Sequence, residues 1–259
     1  MDPPMRSRET LLIRWSTYAA ALTIGAALWQ LAAAHTNPAF LSSFTTTAAR
    51  VVEYTMSGVL TDALASSLAL FFTGFFFAIV FGVGIGLLLA RVRLLRVALE
   101  SYIMVLYATP MVALIPFILS MMGFGFVPKA VVVFLFAIFP ILYNTVEGAR
   151  SIKPELIEVA RSFRSSEWAI WRDVLVPYTL PYALTGIRQG VGRGLVGMVA
   201  AEFFLSASGI GQLIMKSGQD FDIPGLYGAI IVITILGVVL ISLGRALENR
   251  FAAWRGLER

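Results

Sequence analysis

Long stretches of this sequence contain no formal charge, and this pattern restricts the chain to folds that place apolar helices in a lipid bilayer. The charge-free stretches are 15–49, 63–90, 101–128, 130–146 and 223–244. Each holds an apolar run close to the roughly 20 residues that cross a hydrocarbon core about 30 Å thick. Composition agrees, because 58% of the 259 residues are hydrophobic and 14% are charged, against roughly 45–50% and about 25% in soluble domains.

These stretches predict an all-α polytopic membrane protein that forms one domain over 1–259. We place its six transmembrane helices at about 15–34, 64–90, 101–121, 128–146, 181–204 and 224–244. The segment 181–204 contains Arg188 and Arg193, so its hydropathy alone does not decide whether it spans the membrane.

The distribution of basic residues supports six helices with both the N- and C-termini in the cytoplasm. In that topology 15 Lys and Arg residues lie on the inner side, and only Arg50, Lys129 and Lys216 lie on the outer side. This excess is what the positive-inside rule requires. Without a span at 181–204, the arginines near the C-terminus would lie outside.

Residue types also exclude several functions. The sequence has no Cys and a single His, His35, so it cannot build a disulfide framework, a thiolate cluster or a multi-histidine metal site on its own. We therefore predict no metal site. The net charge of +5 would suggest nucleic acid in a soluble protein, but in this hydrophobic chain it first indicates cytoplasmic loops.

The first hydrophobic segment has two interpretations. Basic residues precede it and Ala32, Ala33 and Ala34 end it, as in a signal peptide. Its 20 or so residues exceed the usual 7–15 of a signal peptide's apolar region, which favours a retained helix. The following stretch, 35–62, would lie outside, with a short interfacial helix over 45–60.

The longest cytoplasmic connection, 147–177, has the pattern of two short amphipathic helices. Apolar residues recur there at spacings of three and four, as with Ile157 and Ala160 and with Trp168 and Trp171. Ser165 or Ser166 is a candidate N-cap between the helices, and Pro177 is expected to end the second one. Such a pair fits either a position on lipid headgroups or a helix-in-groove contact with a soluble protein.

Residues in this connection carry a family resemblance. The run Glu158-Val159-Ala160, then Arg164, then Val174-Leu175-Val176-Pro177 resembles the EAA loop of binding-protein-dependent ABC importer permeases. That loop reads Glu-Ala-Ala, three residues, Gly, nine residues, Ile-x-Leu-Pro.

Further motifs resemble the branch of the family that imports nitrate, sulfonates, taurine and related compounds, and the likeness covers about 60–250. These motifs contain Gly123, Gly125, Pro128, Lys129, Pro140, Asn144, Thr145, Gly148, Gly186, Ile187, Arg188, Ala201, Glu202, Phe203, Ser208, Gly209 and Gly211.

The resemblance implies a type I ABC importer permease fold in a bacterial inner membrane and a transport subunit that is not an enzyme. Expected partners are a second copy of the permease, two ATP-binding-cassette ATPase subunits and an extracytoplasmic solute-binding protein. This chain lacks a Gly-x-x-x-x-Gly-Lys-Ser/Thr loop, so no cofactor is expected in it, and ATP and Mg would be bound by the ATPase. The solute would be a small compound such as a sulfonate, taurine or nitrate, and a pyrimidine or an aromatic acid also stays open.

The resemblance also assigns ATPase coupling to the connection, with Glu158 as the anchor of the contact. The residues concerned are Glu158, Val159, Ala160, Phe163, Arg164 and Pro177. The family's loop Gly falls on Arg164 and its first Ala on Val159. A Gly there permits a positive φ that a side chain tolerates poorly, so either the joint is built differently or Arg164 reaches an acidic group on a partner.

The fifth helix supplies candidates for pathway lining or helix packing. Gly186, Gly190 and Gly194 recur every four residues, and such small-residue faces allow helix backbones to approach closely in lipid. They would serve packing within one subunit or between subunits. Arg193 and Glu202 are charges inside a span, which normally face protein or water. Arg193 either has a partner on another helix or faces an anion in the pathway, and Glu202 either closes an external gate or pairs with a neighbour.

Two other classes of protein compete with the importer. A membrane-embedded enzyme would need converging nucleophile, base and oxyanion groups, and the sequence shows no such set. A secondary transporter or channel without an ATPase usually has inverted repeats or intramembrane proton carriers, and neither is visible. Binding of an ATPase subunit would separate the importer from this last alternative.

Overall fold

The computed structural model describes residues 5–205 and 208–252, and the regular elements in these two ranges are all helical. The predicted cytoplasmic chain ends lie outside the described residues. The helices are α1 Met5–Ala34, α2 Phe44–Met56, α3 Val59–Arg91, α4 Arg93–Ala108, α5 Ile115–Met122, α6 Phe126–Arg150, α7 Pro154–Ser162, α8 Glu167–Ile170, α9 Val176–Leu205, α10 Ile210–Gln219 and α11 Ile223–Ala252.

Four of the described helices are long and apolar enough to cross a membrane, and they coincide with four predicted spans. They are Ser16–Ala34 in α1, Val59–Arg91, Phe126–Arg150 and Ile223–Ala246 in α11. A bent pair, described next, makes a fifth if it is one span. α9 has 30 residues and is about 45 Å long at 1.5 Å per residue, but it is more polar. The count of six spans and the side of each loop stay predictions.

The third predicted span is not the continuous helix expected over 101–121. The helical stretches Leu94–Ala108 and Met111–Met122 meet at an angle of 91°. Pro110 is the cause, because a proline has no N–H to donate and its ring disfavours helical geometry at the residue before it. Thr109 accordingly adopts an extended conformation, with φ −67° and ψ 133°. A short 3₁₀ turn, Met111–Leu114, then leads into α5.

Pro177 does not end a helix, contrary to the expectation from its sequence position. The helix that begins at Glu167 passes through a π-helical turn, Trp171–Leu175, and continues into α9. The wider turn has an i→i+5 hydrogen bond from the N–H of Val176 to the carbonyl of Trp171. Pro177 is therefore the second residue of α9, directly after a local change of helix type, where a missing N–H is tolerated.

The chain divides into two compact units, whose boundaries fall inside α3, α10 and α11. The larger unit comprises 62–212 and the chain from Val232 onward. In it α6 packs against α9 and α3 through a core of apolar side chains. The fully buried members of this core include Phe71, Ala78, Val133, Ile141 and Met198.

The smaller unit comprises the chain up to Thr61 and the segment Leu213–Ile231. α2 covers most of the short helix predicted over 45–60, whose interfacial position stays a prediction. It begins at the N-cap Ser43, whose side chain accepts a hydrogen bond from the N–H of Thr46. Arg50 of α2 forms an ion pair with Asp222 at 3.0 Å, and Tyr54 donates a 2.5 Å hydrogen bond to the same carboxylate. Asp222 thus ties α2 to the turn between α10 and α11.

Candidate functional site: the α7 segment and the α9 helix

The first candidate site is α7, a nine-residue helix that starts with Pro154 at its first position, where a missing N–H costs no hydrogen bond. Glu158 and Val159 are exposed on it, together with Leu156, whereas Ala160 is half-buried. Phe163 follows at the C-cap with 81% of its surface exposed. Among the described residues, Leu156, Val159 and Phe163 are therefore exposed apolar side chains of this segment.

The joint after α7 keeps the left-handed geometry that a Gly would favour, although Arg164 occupies it with φ 55°. The N–H of Ser165 donates to the carbonyl of Ala160 at 3.1 Å, and the N–H of Arg164 donates to that of Arg161 at 2.8 Å. These two bonds define a Schellman motif, which caps the last carbonyls of a helix. The exposed Arg164 side chain therefore projects from a turn of defined shape.

The segment after the joint is fixed by a cap and by ion pairs. Ser166 is the N-cap of α8 and accepts a hydrogen bond from the N–H of Ala169 at 3.2 Å, as the sequence predicts. Glu167, in the first turn of α8, forms ion pairs with Arg91 at the end of α3 and with Arg161. These exposed pairs contribute little stability individually, but they tie the segment to α3.

Trp168 and Trp171 stack with ring centroids 6.1 Å apart, and 67% of the Trp168 surface is exposed. The stacked pair adds an aromatic surface beside α7. Pro177, at the start of α9, is exposed as well.

The glycines of α9 lie against α6 of the same chain. A Cβ built on Gly186 would come within 2.8 Å of the Pro140 carbonyl oxygen, and one on Gly190 within 3.1 Å of that of Ala137. Gly194 faces Phe71 of α3 at 3.2 Å. These contacts permit the close approach of α9 to α6 that small residues allow between membrane helices.

Arg193, on the same helix, has an aromatic partner on α4. Its guanidinium lies 4.5 Å from the centroid of the Tyr107 ring, and its Nη2 donates a 3.1 Å hydrogen bond to the Tyr107 hydroxyl. Tyr107 in turn stacks on Tyr143 of α6 at 5.9 Å. Arg193 is exposed, in contrast to the glycines around it.

Glu202 is buried at the end of α9 and holds the beginning of α10. Its carboxylate accepts hydrogen bonds from the Ser67 hydroxyl at 2.6 Å and from the N–H of Gly211 at 2.7 Å. Ser67 also accepts a 2.8 Å bond from the N–H of Ile210. A carboxylate at the first N–H groups of a helix satisfies donors that have no partner within the helix.

Sequence reasoning missed the partner of Arg188. Its Nε lies 2.7 Å from Glu248 Oε2 on α11, and the Thr185 hydroxyl donates to the other Glu248 oxygen at 2.7 Å. The predicted sixth helix ended at 244, which left Glu248 outside the span. Apolar residues continue at a spacing of four beyond Gly244, at Leu247 and Phe251, and this signal could have placed Glu248 on the same helix.

Outside the predicted spans, the groups around Asp222 shift the pKa of its carboxyl. Burial alone would raise the pKa of this carboxyl, but hydrogen bonds from Tyr54, Arg50 and the N–H of Gly225 outweigh it and hold the pKa below its usual range. Burial and the same hydrogen bond raise the pKa of Tyr54. Within the part of the chain that the structure describes, no cluster of three or more His, Asp or Glu could hold a metal ion.

Comparison with known proteins places this geometry in a class. The fold is similar to that of the MetNI methionine ABC transporter in an inward-facing conformation, with a TM-score of 0.64 and 20% identity over 76% of this chain and 97% of that one. The type I ABC importer permease fold predicted from the sequence is therefore confirmed.

Residues 78–253 match the family described as binding-protein-dependent transport system inner membrane component. The chain is 31% identical over 203 residues to SsuC of Bacillus subtilis (strain 168), which is named for aliphatic sulfonates transport, covering 78% of this chain and 74% of SsuC. It is 29% identical over 202 residues to the taurine transport system permease protein TauC of Escherichia coli (strain K12), covering 78% and 73%.

The chain belongs to the family of binding-protein-dependent transport system inner membrane components. It is accordingly a multi-pass inner-membrane permease subunit of an ABC importer, not an enzyme, and ATP hydrolysis in this family lies in a separate subunit. Members work with an ATPase and a solute-binding protein.

Proposed function

We propose that this chain forms, as a pair of identical subunits, the translocation pathway for a small solute with an anionic group, such as a sulfonate, taurine or nitrate. The names of SsuC and TauC support this substrate class. An extracytoplasmic solute-binding protein delivers the solute, and two ATPase subunits, which bind ATP and Mg, drive its import. No cofactor binds to the permease itself.

The observation that carries the proposal is the exposed α7 helix with its capped joint. Leu156, Val159 and Phe163 form an exposed apolar surface on one side of α7 and at its C-cap, and such a surface fits a helix-in-groove contact. The Schellman motif at Arg164 gives the joint after α7 a defined shape, and the ion pairs of Glu167 connect the segment to α3 and to Arg161 of α7. A fixed helix transmits a movement of its partner, whereas a loose one does not.

In this contact Glu158 anchors α7 in a groove of the ATPase, and Val159, Ala160 and Phe163 fill that groove. Arg164 reaches an acidic group at its rim. Closure of the two ATPase subunits then moves α7, and the helices attached to it, as a rigid body between inward-facing and outward-facing states. This function places 147–177 on the cytoplasmic side of the membrane.

Copurification with the cognate ATPase tests the proposal. We expect the unmodified permease, extracted in mild detergent, to retain the ATPase, and the Glu158→Lys variant to lose it, because the substitution reverses the charge at the anchor. Asp220→Lys is the matched control, since Asp220 is also an exposed carboxylate but lies between α10 and α11. Retention of the ATPase by Glu158→Lys, or equal loss in both variants, would exclude the docking role of Glu158.

A further inference from the structure

An open cavity of about 530 Å³ lies beside the break between α4 and the Met111–Leu114 turn. Its volume is within the range of about 300–1,000 Å³ that is common for small-molecule sites. Residues from α4, the break, α6 and α9 line it, and they include Tyr107, Thr109, Phe136, Phe139, Arg193 and Val196.

The backbone at the break indicates that this cavity contains water. Thr109 is extended, and the flanking Ala108 and Pro110 are exposed within a stretch that is otherwise a membrane span. Non-helical backbone at membrane depth is tolerated only where protein buries it or where it borders water. Ala108 and Pro110 line the cavity and are exposed, so water in the cavity would solvate this backbone.

Arg193 gives the cavity a positive charge that no lining residue neutralises. The ten residues that line it include no Asp or Glu, and an arginine side chain stays protonated. Its partner Tyr107 offers a ring face and a hydroxyl. Arg188, about one and a half turns earlier on α9, does have a neutralising partner, because it faces the Glu248 carboxylate.

We propose that this cavity is an anion-binding site on the translocation pathway. Arg193 binds the sulfonate or carboxylate head of a small organic anion through its planar set of N–H groups, which matches such head groups. Tyr107 positions the guanidinium by the ring contact, and Phe136 and Phe139 contact the apolar remainder of the solute. The role on the pathway rests on the importer function proposed above.

The absence of cysteine from the sequence makes a direct test possible. Single-cysteine variants Ala108→Cys and Val196→Cys report on the cavity, because both positions line it and are exposed. Val238→Cys serves as the lipid-facing control, because Val238 lies on α11 outside the cavity and is itself 61% exposed. Each is treated in membranes with an anionic methanethiosulfonate ethylsulfonate and with its cationic trimethylammonium counterpart, and the two reaction rates are measured.

We expect both cavity cysteines to react and the Val238→Cys control to remain largely unmodified. Adding Arg193→Gln lowers the ratio of the anionic to the cationic rate about tenfold, since a local positive charge attracts one reagent and repels the other. Adding Arg193→Lys, which keeps the charge, changes the ratio by less than about twofold. Ethanesulfonate slows the anionic reagent only where residue 193 is cationic.

Two results would overturn the site. If Ala108→Cys and Val196→Cys are as inert as Val238→Cys, the cavity holds no water. If Arg193→Gln leaves the rate ratio unchanged, Arg193 does not attract anions there. The labelling needs neither ATPase nor binding protein, so its outcome is separate from the Glu158→Lys copurification that tests the importer function.

Discussion

Gly186 on α9 lies so close to Pro140 on α6 that an added Cβ would sit 2.8 Å from the Pro140 carbonyl oxygen. A backbone oxygen cannot turn aside as a flexible side chain can. The two helices are therefore held at a separation that only glycine permits at this position.

Gly186→Ala is expected to destabilise the protein, because α9 must move away from α6 to admit the methyl group. The apparent Tm of the detergent-solubilised permease should fall by several degrees, as overpacking costs about 1–3 kcal/mol. Gly192→Ala is the control on the same helix, since its Cβ would meet nothing closer than 3.8 Å. There the higher helix propensity of alanine should leave Tm unchanged or raised. Equal losses in the two variants would contradict the packing argument.

Glu202 should matter for stability through the helix start that it caps. Ser67→Ala removes the hydrogen bond to Glu202 and the one from the N–H of Ile210, so two buried polar groups lose a partner at about 1–3 kcal/mol each. We expect a clear decrease in apparent Tm. Ser66→Ala provides the comparison, because its hydroxyl contacts Ser208 at an exposed position. If the two serine variants unfold at the same temperature, the hydrogen bonds of Ser67 at the start of α10 do not contribute measurably to stability.

Arg164→Gly is expected to stabilise the joint after α7. A residue with a side chain in the left-handed region costs roughly 1–2 kcal/mol, and glycine avoids this cost. Arg161→Gly should act in the opposite direction by about 1 kcal/mol, because Arg161 is inside the helix. Slower hydrogen exchange of the N–H groups of Arg164 and Ser165 would report the stabilisation. Faster exchange in the glycine variant would show that the arginine side chain itself holds the turn.

The Arg50–Asp222 contact should make the stability of the smaller unit depend on pH in the acid range. The folded protein holds the pKa of Asp222 below its usual value of 3.8, so the carboxylate stabilises the fold above the pKa of the unfolded chain. This contribution disappears as pH falls through the folded pKa. We expect apparent Tm to fall more steeply below about pH 4 in the unmodified protein than in Asp222→Asn, whose amide does not titrate. Parallel curves for the two proteins would exclude this linkage.

The sequence predicts the helical class and most of the helix positions, because membrane spans follow from local composition. α1, α3, α6 and α11 each contain a predicted span. The pattern could not show the break at Pro110, since apolar residues continue on both sides of it. A proline can bend, end or start a helix, and only the packing of the chain decides among these outcomes. Pro177 shows the same ambiguity, because its sequence position predicts the end of a helix and the structure has it as the second residue of α9.

The candidate site likewise has a part that the sequence predicts and a part that it does not. The spacing of Glu158 and Pro177 is a local pattern, and so is the Ser166 cap, so both are readable from sequence. Contacts such as Arg193 with Tyr107, 86 residues apart, depend on which helices become neighbours. Hydropathy does not show which helices become neighbours, because every span is apolar on its outer face.

The unbroken helical backbone from Glu167 through the π turn to Leu205 is about 58 Å long at 1.5 Å per residue. One end carries the stacked tryptophans beside α7, and the other carries the carboxylate that holds α10. Because helical structure continues along this whole path, we expect a displacement of the segment beside α7 to displace Arg193 as well.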